Sequence, residues 1–149
     1  MSDTPRVHGI GGIFFKANDP QALADWYGRH LGLDVPTGWA GALLPWKRAD
    51  TGADALTVWS PFAADTRYFE PGDKPYMLNF RVDDLDAMLA ALRAAGCTVL
   101  DRYDETEQGK FGYVQDPEGA VVELWQPAVD DAVCSCSRWR PSPRPVRSP

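Results

Sequence analysis

The stretch that decides the fold is Phe111–Trp125, which reads FGYVQDPEGAVVELW. Its centre, Asp116-Pro117-Glu118-Gly119, has the residues of a type I or type II turn, because proline fixes φ at the second position and glycine tolerates positive φ. Aromatic and β-branched residues flank the turn on both sides, which is the composition of β-strands. The sequence therefore predicts a strand, a tight turn and a second strand.

Within the second strand, alternation places Glu123 on the same face as Val121 and Trp125. Val122 and Leu124 take the other face. Both faces are largely apolar, so we expect Glu123 to project from a covered sheet rather than into water. A carboxylate in that setting needs a cation, hydrogen-bond donors or a raised pKa. Glu123 is therefore the first candidate for a functional residue.

Length and composition limit the class of protein. The chain has 149 residues, enough for one domain or for two small modules that share a core. Its apolar runs are shorter than a membrane span and no apolar signal segment follows Met1, so we expect a cytoplasmic protein without a membrane partner. A net charge of −6 with no basic patch in the predicted folded part argues against nucleic acid as a partner.

Residues 128–149 differ in composition from the rest of the chain. They are rich in proline and contain four arginines, with no apolar periodicity. This composition predicts a disordered, basic tail. Cys134 and Cys136 lie in it without a second cysteine pair or a histidine, so neither a disulfide framework nor a metal site is expected there.

Taken in order, the chain shows the same pattern of elements twice. Asp19 and Asp84 are expected to cap two helices that begin 65 residues apart and end at Gly32 and Gly96. Strands are predicted over residues 7–16, 33–35, 39–47 and 55–60 in the first half, and over 75–82, 97–103 and the two arms of the hairpin in the second. A polar loop is predicted over residues 104–108.

The ends of the two halves also match. Residues 56–61 (LTVWSP) align with residues 122–127 (VELWQP) at an offset of 66. These repeats indicate an internal duplication of a βαβββ unit. We place the first module at residues 1–62, a crossover linker at 63–74 and the second module at 75–127. One such unit cannot bury both faces of its sheet, so the two are expected to pack around a shared concave surface.

These motifs resemble the vicinal oxygen chelate superfamily, which includes glyoxalase I, extradiol dioxygenases and bleomycin-resistance proteins. The resemblance covers residues 7–127. It rests on Asp19-Pro20 followed by Tyr27 and Leu31-Gly32-Leu33, on residues 80–85 (FRVDDL), and on the turn at 116–119 followed by Glu123-Leu124. It implies an α+β fold in which two tandem βαβββ modules form an incompletely closed eight-stranded barrel.

The resemblance also implies where a metal would bind. In the metal-dependent members, four inward side chains hold a divalent ion, and these positions fall here on Gly12, Thr57, Met77 and Glu123. Only Glu123 offers a donor of the type that such ions prefer. We therefore expect no metal cofactor, and a divalent metal is disfavoured.

The first functional hypothesis is a metal-free, bleomycin-resistance-like protein that binds a small aromatic or apolar molecule between the modules. Apolar pockets with a few polar groups are typical of such sites. Asn79 lies on the same strand face as Met77 and should have a hydrogen-bond partner. The alternative for any single ring is that it belongs to the core. The candidate ligand-binding residues are Phe14, Trp39, Trp46, Trp59, Asn79, Tyr113 and Trp125.

Two enzymatic hypotheses stay open. Glu123 could be the catalytic general base or acid of a glyoxalase-like lyase or isomerase acting beside a carbonyl, since an apolar wall would raise its pKa toward neutrality. The alternative is that Glu123 pairs with Arg81 or Lys110 and serves only the structure. A metal-dependent lyase would need further ligands from elsewhere in the chain or from a second chain. Whether the modules pair within one chain or across a homodimer also stays open.

Overall fold

The computed structural model describes residues 4–128 of the chain. Cys134, Cys136 and all of the predicted tail except Ala128 lie outside the described residues. Over residues 4–128 the elements follow in the order β1 (Val7–Ala17), α1 (Pro20–Leu31), β2 (Ala42–Lys47), β3 (Asp54–Ala63), β4 (Tyr76–Val82), α2 (Leu85–Ala94), β5 (Thr98–Thr106), β6 (Gly109–Gln115) and β7 (Val121–Pro127). Within this range neither helix is long and apolar enough to cross a bilayer.

The strands of the described range form one sheet in the order β2-β3-β1-β4-β7-β6-β5. Strands β1 and β4 pair antiparallel at its centre, while β1 with β3 and β4 with β7 pair parallel. The sheet is not closed into a barrel. The predicted α+β fold of glyoxalase type is therefore confirmed, and the strand count differs by one.

The missing strand is the one predicted over residues 33–35, which has no ladder partner. Instead, Leu33 N donates to Tyr27 O at the end of α1. Pro36 follows directly and has no N–H to donate to a sheet. Leu33 and Val35 contribute apolar surface beneath α1 rather than a strand. Residues 33–35 are therefore partly buried, as their apolar composition predicts, but their backbone follows the end of α1 and does not pair with another strand.

The helices begin and end where their capping residues predict. Asp19 accepts a hydrogen bond from Ala22 N (3.1 Å), and Asp84 accepts one from Ala87 N (3.0 Å). Gly32 ends α1 in the left-handed conformation, with φ of 78°. Both helices pack on the same face of the sheet, so each module contributes one helix to that side.

The other face of the sheet, which we call the inner face, carries the largest hydrophobic cluster of the described chain. Strand alternation directs Phe14, Val58, Met77 and Trp125 to this side. The segment 64–75 connects β3 to β4 and packs Phe69 into the same cluster, where it is 2 % exposed. The inner face thus combines side chains from both halves with one connecting segment.

The last three strands extend further than predicted. Strand β5 runs to Thr106 and pairs with β6, so most of the polar loop predicted over residues 104–108 is strand. The hairpin turn is reduced to Glu107 and Gln108. Gly109, with φ of 127°, begins β6 directly after it. Asp104 is therefore held in the sheet rather than in a loop.

Candidate functional site

Glu123 lies in the middle of β7 on the inner face and is 1 % exposed. The strand registers place it beside Asn79 of β4 and Tyr113 of β6. Residues paired across a ladder point to the same face. Three polar side chains therefore stand in a row across three adjacent strands, within an otherwise apolar wall.

Both oxygens of the Glu123 carboxyl group accept hydrogen bonds. Asn79 Nδ2 donates to Oε1 (2.7 Å), and Tyr113 Oη donates to Oε2 (2.6 Å). Tyr68, from the segment 64–75, also donates its hydroxyl to Oε2. The expectation that Asn79 has a partner is confirmed. The three donors carry no formal charge, so they stabilise the carboxylate without neutralising it.

Burial raises the pKa of Glu123 to about 7, because a carboxylate far from water is penalised. The hydrogen bonds from Tyr113 and Asn79 and the positive charge of Arg102 lower this pKa again, without cancelling the effect of burial. Burial and the neighbouring Glu123 also raise the pKa of Tyr113, so its phenol stays protonated. Near neutral pH, Glu123 can therefore give or take a proton.

Arg102 and Asp104 of β5 border this buried group. The guanidinium of Arg102 lies 4.4 Å from the ring centroid of Tyr68 and 4.1 Å from that of Tyr113, and Nη1 donates to Tyr68 O (3.0 Å). Arg102 Nε lies 3.6 Å from Asp104 Oδ2. The side chains of Arg102 and Asp104 are 30 % and 21 % exposed, so they connect the buried carboxyl group to the surface.

Tyr113 joins the two carboxyl groups. Its hydroxyl lies 2.6 Å from Glu123 Oε2 and 3.2 Å from Asp104 Oδ2. A phenol has one proton to donate, so it can serve only one of the two acceptors at a time. If Glu123 is protonated, its proton can pass to the Tyr113 oxygen while the phenol proton passes to Asp104. The geometry thus offers a short route for a proton between the inner face and solvent.

Four of the predicted ligand-binding residues come together on the inner face with Glu123. Asn79 and Tyr113 contact its carboxyl group, and Phe14 and Trp125 belong to the same hydrophobic cluster. All four are at least nine-tenths buried. Their rings therefore contribute to the core as well as to the walls of a candidate site.

The remaining three predicted tryptophans lie elsewhere. Trp39 is half-buried and packs against the edge of the inner cluster. Trp46 donates its indole N–H to Thr57 (2.8 Å), and Arg81 lies 5.8 Å from its ring centroid. Trp59 lies on the opposite face, where its ring is 4.6 Å from that of Tyr27 in α1. The structure does not bring Trp59 together with the inner-face residues.

The position of Trp59 shows that the alignment of residues 56–61 with residues 122–127, at an offset of 66, does not match equivalent positions of the two halves. The central ladder pairs Gly12 with Asn79 and Phe14 with Met77, so a two-fold relation matches Phe14 with Asn79. Phe14 pairs with Ser60, whereas Asn79 pairs with Glu123. The structural counterpart of Glu123 is therefore Ser60 at an offset of 63, and an odd change of register moves every side chain to the other face.

Because of the same change of register, Thr57 is not the counterpart of Glu123 and does not occupy the metal position expected for it. Its hydroxyl donates to Ile10 O and accepts from Trp46 Nε1. Ser60, which takes its place, is 8 % exposed and donates to Ala40 O (3.3 Å). Neither hydroxyl is directed at Glu123.

The donor set at the family's metal positions does not fit a divalent ion. Gly12 has no donor, Met77 offers a fully buried thioether, and the hydroxyl of Thr57 is bonded to Ile10 O and Trp46 Nε1. Hard divalent ions prefer imidazole and carboxylate ligands. Among residues 4–128, no group of three or more His, Cys, Asp and Glu side chains could hold a metal. Glu123 alone has a suitable donor, and both its oxygens already accept hydrogen bonds.

Sequence reasoning missed three members of the site: Tyr68, Arg102 and Asp104. Tyr68 lies in a segment with no periodicity, so nothing local indicates where its side chain points. The β5–β6 pairing shifts register between Val99 and Tyr103, which sets the faces of Arg102 and Asp104. Such a bulge leaves no clear sequence signal.

Arg81 and Lys110, the two candidate ion-pair partners of Glu123, also contact other residues. Lys110 Nζ lies 3.7 Å from Asp86 Oδ2. Arg81 is buried, and its guanidinium lies 4.9 Å from the ring centroid of Trp125. The positive charge of Arg102 lowers the pKa of Glu123.

Known structures share this architecture. The methylmalonyl-CoA epimerase from Mycobacterium tuberculosis is similar at a TM-score of 0.53 and 21 % identity, covering 89 % of this chain and 97 % of its own. A variant of the Streptomyces coelicolor methylmalonyl-CoA epimerase, in complex with 2-nitronate-propionyl-CoA, is similar at a TM-score of 0.61 and 19 % identity, covering 83 % and 100 %.

A glyoxalase/bleomycin resistance protein/dioxygenase superfamily member from Vibrio splendidus 12B01 is similar at a TM-score of 0.52 and 15 % identity, covering 83 % and 99 %. At these identities the likeness establishes the fold. Comparison with curated proteins gives no match. Residues 12–125, more than half of the chain, match the sequence profile of the glyoxalase-like domain. The chain therefore belongs to the glyoxalase-like domain family.

Proposed function

We propose that the protein binds a small aromatic or apolar organic molecule on the inner face of its sheet, without the divalent metal of the family's metal-dependent members. The observation that carries this proposal is the buried carboxyl group of Glu123, held by neutral donors within an apolar wall. A buried ionisable group costs stability, so such groups concentrate at functional sites. Small-molecule sites typically combine apolar walls with a few placed polar groups.

The surroundings of Glu123 favour an aromatic ligand with one polar group. Phe14 and Trp125 supply flat apolar surfaces, and Arg102 supplies a cation that can lie on a ring. Glu123 would accept a hydrogen bond from the polar group of the ligand. Asn79 and Tyr113 would keep the carboxyl group oriented while the ligand exchanges. In these roles Glu123, Asn79 and Tyr113 bind and orient an organic ligand without a metal ion, which agrees with the poor metal donors at Gly12, Thr57 and Met77.

Replacing Glu123 tests this function directly. We expect at least one member of a panel of aromatic compounds to quench tryptophan fluorescence, and Glu123→Gln to weaken its binding by about 10- to 100-fold. A hydrogen bond to a charged group is worth roughly 1.5–3 kcal/mol, which corresponds to that change in Kd. The measurement is a fluorescence titration, repeated by calorimetry.

Glu118→Gln is the matched control, since Glu118 is an exposed glutamate in the turn before β7 and should leave binding unchanged. Equal affinity in the wild type and Glu123→Gln would remove Glu123 from the site. A stoichiometric divalent ion in the purified wild type that is lost in Glu123→Gln would replace the proposal with metal-dependent lyase chemistry.

A second function is favoured by the pKa of about 7 at Glu123. A base with a pKa near the working pH is suited to removing a proton beside a carbonyl, as a glyoxalase-like lyase or isomerase requires. Glu123 would take the proton from carbon, and the electron pair of the C–H bond would form the enolate. Return of the proton to the opposite face of the enolate inverts the carbon centre, whereas return to the same face regenerates the substrate. Methylmalonyl-CoA epimerases share this fold.

Proton exchange in deuterium oxide tests this second function. With methylmalonyl-CoA and simple 2-oxo and 3-oxo acids as probes, we expect the NMR signal of the proton beside the carbonyl to disappear faster with the wild type than without protein. General-base catalysis contributes about 10²- to 10⁴-fold, so Glu123→Gln should lose at least 100-fold of that rate. Exchange at the same rate in both proteins would exclude Glu123 as the base, and Glu118→Gln should behave as wild type.

A further inference from the structure

We propose that the phenol of Tyr68 occupies the ligand's own position beside Glu123, and that the ligand is an aromatic ring bearing a hydroxyl group, which binds by displacing it. This inference rests on the proposed binding function. It adds that the ligand is a phenol and that the Tyr68 side chain competes with it for the site. Its basis is the set of contacts that Tyr68 makes, and the elements from which those contacts come.

The Tyr68 side chain contacts groups from four strands of the sheet, as well as Phe69 of its own segment. Its hydroxyl donates to Glu123 Oε2 in β7. Its ring lies 5.4 Å from that of Phe62 in β3, with the planes 22° apart, and edge-on to Tyr113 in β6 at 6.4 Å. The guanidinium of Arg102 in β5 lies 4.4 Å from its centroid. Paired strands therefore position the side chains that contact the phenol of Tyr68.

Tyr68 itself belongs to the connecting segment 64–75, which has no partner strand in the sheet. The backbone hydrogen bonds described around it close local turns, such as Thr66 N to Ala63 O and Glu70 N to Arg67 O (3.0 and 3.1 Å). Tyr68 is half-buried, as are Phe62 and Arg102, whereas Tyr113 and Glu123 are buried. The backbone around Tyr68 is thus held by local turns and by the hydrogen bond from Arg102 Nη1 to Tyr68 O, whereas Tyr113 and Glu123 stand on paired strands.

The movement required is small. Phe69, the next residue, is 2 % exposed and lies 5.3 Å from Phe62, ring to ring. If Phe69 stays in the cluster, Tyr68 can leave by rotating its side chain rather than by unfolding the segment. Rotation of an aromatic side chain at the surface of a core needs no change of fold. The ring that leaves would expose the acceptor on Glu123 and the face of Arg102.

A tethered occupant lowers the apparent affinity of a ligand from solution. The apparent Kd equals the intrinsic Kd divided by the fraction of molecules whose site is open. Because Tyr68 is attached to the same chain, its effective concentration at the site is on the order of millimolar or higher. Removing its side chain should therefore strengthen the binding of a free phenol. A compound that cannot donate to Glu123 should gain less.

The experiment compares the wild type with Tyr68→Ala, using p-cresol, which is the tyrosine side chain as a free molecule, and toluene, which lacks the hydroxyl. We expect p-cresol to bind Tyr68→Ala at least tenfold more tightly than it binds wild type. It should also bind that variant at least tenfold more tightly than toluene does. Tyr68→Phe keeps the ring but loses the donor, so its affinity for p-cresol should lie between those of the other two proteins. This second variant decides the question if Tyr68→Ala does not fold.

Tyr76→Ala is the matched control, because Tyr76 is 42 % exposed at the start of β4, and it should bind p-cresol as the wild type does. Equal binding of p-cresol and toluene by Tyr68→Ala would show only a cavity and would overturn the inference. Equal p-cresol affinity in wild type and both Tyr68 variants would overturn it too, and a panel compound that still depends on Glu123 would leave the proposed function standing. If no compound binds any of these proteins, both fail together.

Discussion

Trp125→Ala is expected to lower the free energy of unfolding by about 3–5 kcal/mol, the usual range for removing a buried tryptophan. Trp125 is 2 % exposed and stacks on Phe111 with the ring planes 4° apart. Its indole N–H donates to Gln108 O (2.9 Å), and Arg81 lies over its ring. The substitution therefore creates a cavity and also removes a hydrogen bond.

Because domains of this size are stable by about 5–15 kcal/mol, this one change would remove a large part of the total. Urea denaturation followed by far-ultraviolet circular dichroism measures it. Trp26→Ala is the control, since Trp26 is 47 % exposed on α1 and should cost less than about 1 kcal/mol. Equal losses in the two variants would show that Trp125 does not organise the inner face.

The second large effect is a fall in stability as the pH rises from about 4.5 to 7. The pKa of Glu123 rises from 4.5 to about 7 on folding, so in this window the native state binds more protons than the unfolded state. Stability must then decrease with increasing pH. A difference of this size corresponds to about 3 kcal/mol at 1.36 kcal/mol per unit, fully lost above pH 7.

Glu123→Gln isolates this effect because glutamine does not titrate. Burial lowers the pKa of His8, which makes stability rise with pH through part of the same window, but His8 is present in both proteins and its contribution cancels. The carboxyl groups of Asp50 and Asp83, whose pKa values Arg48 lowers, act below this range. The stability difference between wild type and Glu123→Gln should therefore change by about 2.5 kcal/mol between pH 5 and pH 8. Parallel profiles would show that Glu123 is solvated.

Features encoded within a few residues could be predicted from the sequence. The aspartate caps fixed the starts of both helices, and the turn before Val121 fixed the final hairpin. Alternation along β7 was enough to place Glu123 on a covered face. In each case the deciding interaction joins residues close together in the chain, so its signal is local.

Features that depend on pairing between distant strands could not be predicted. The tryptophan-containing endings of the two halves look alike, yet Trp59 and Trp125 lie on opposite faces, because the sequence offset of 66 and the structural offset of 63 differ by an odd number. Tyr68 reaches Glu123 across 55 positions of sequence. The site therefore depends on long-range register and on an aperiodic connection, neither of which leaves a local pattern.

Ser60 stands in the first half of the chain at the position that Glu123 holds in the second half. The buried carboxyl group therefore lies at one end of the inner face only. Asn79 likewise has Phe14 as its symmetry counterpart, so the second half contributes hydrogen-bonding groups where the first contributes a ring and a small hydroxyl that bonds to Ala40. The two halves share the same backbone arrangement, but the two ends of the inner face differ in polarity. A guest molecule with one polar terminus would enter in a single orientation, and its mirror image would present different substituents to Glu123, so the protein should discriminate between enantiomers.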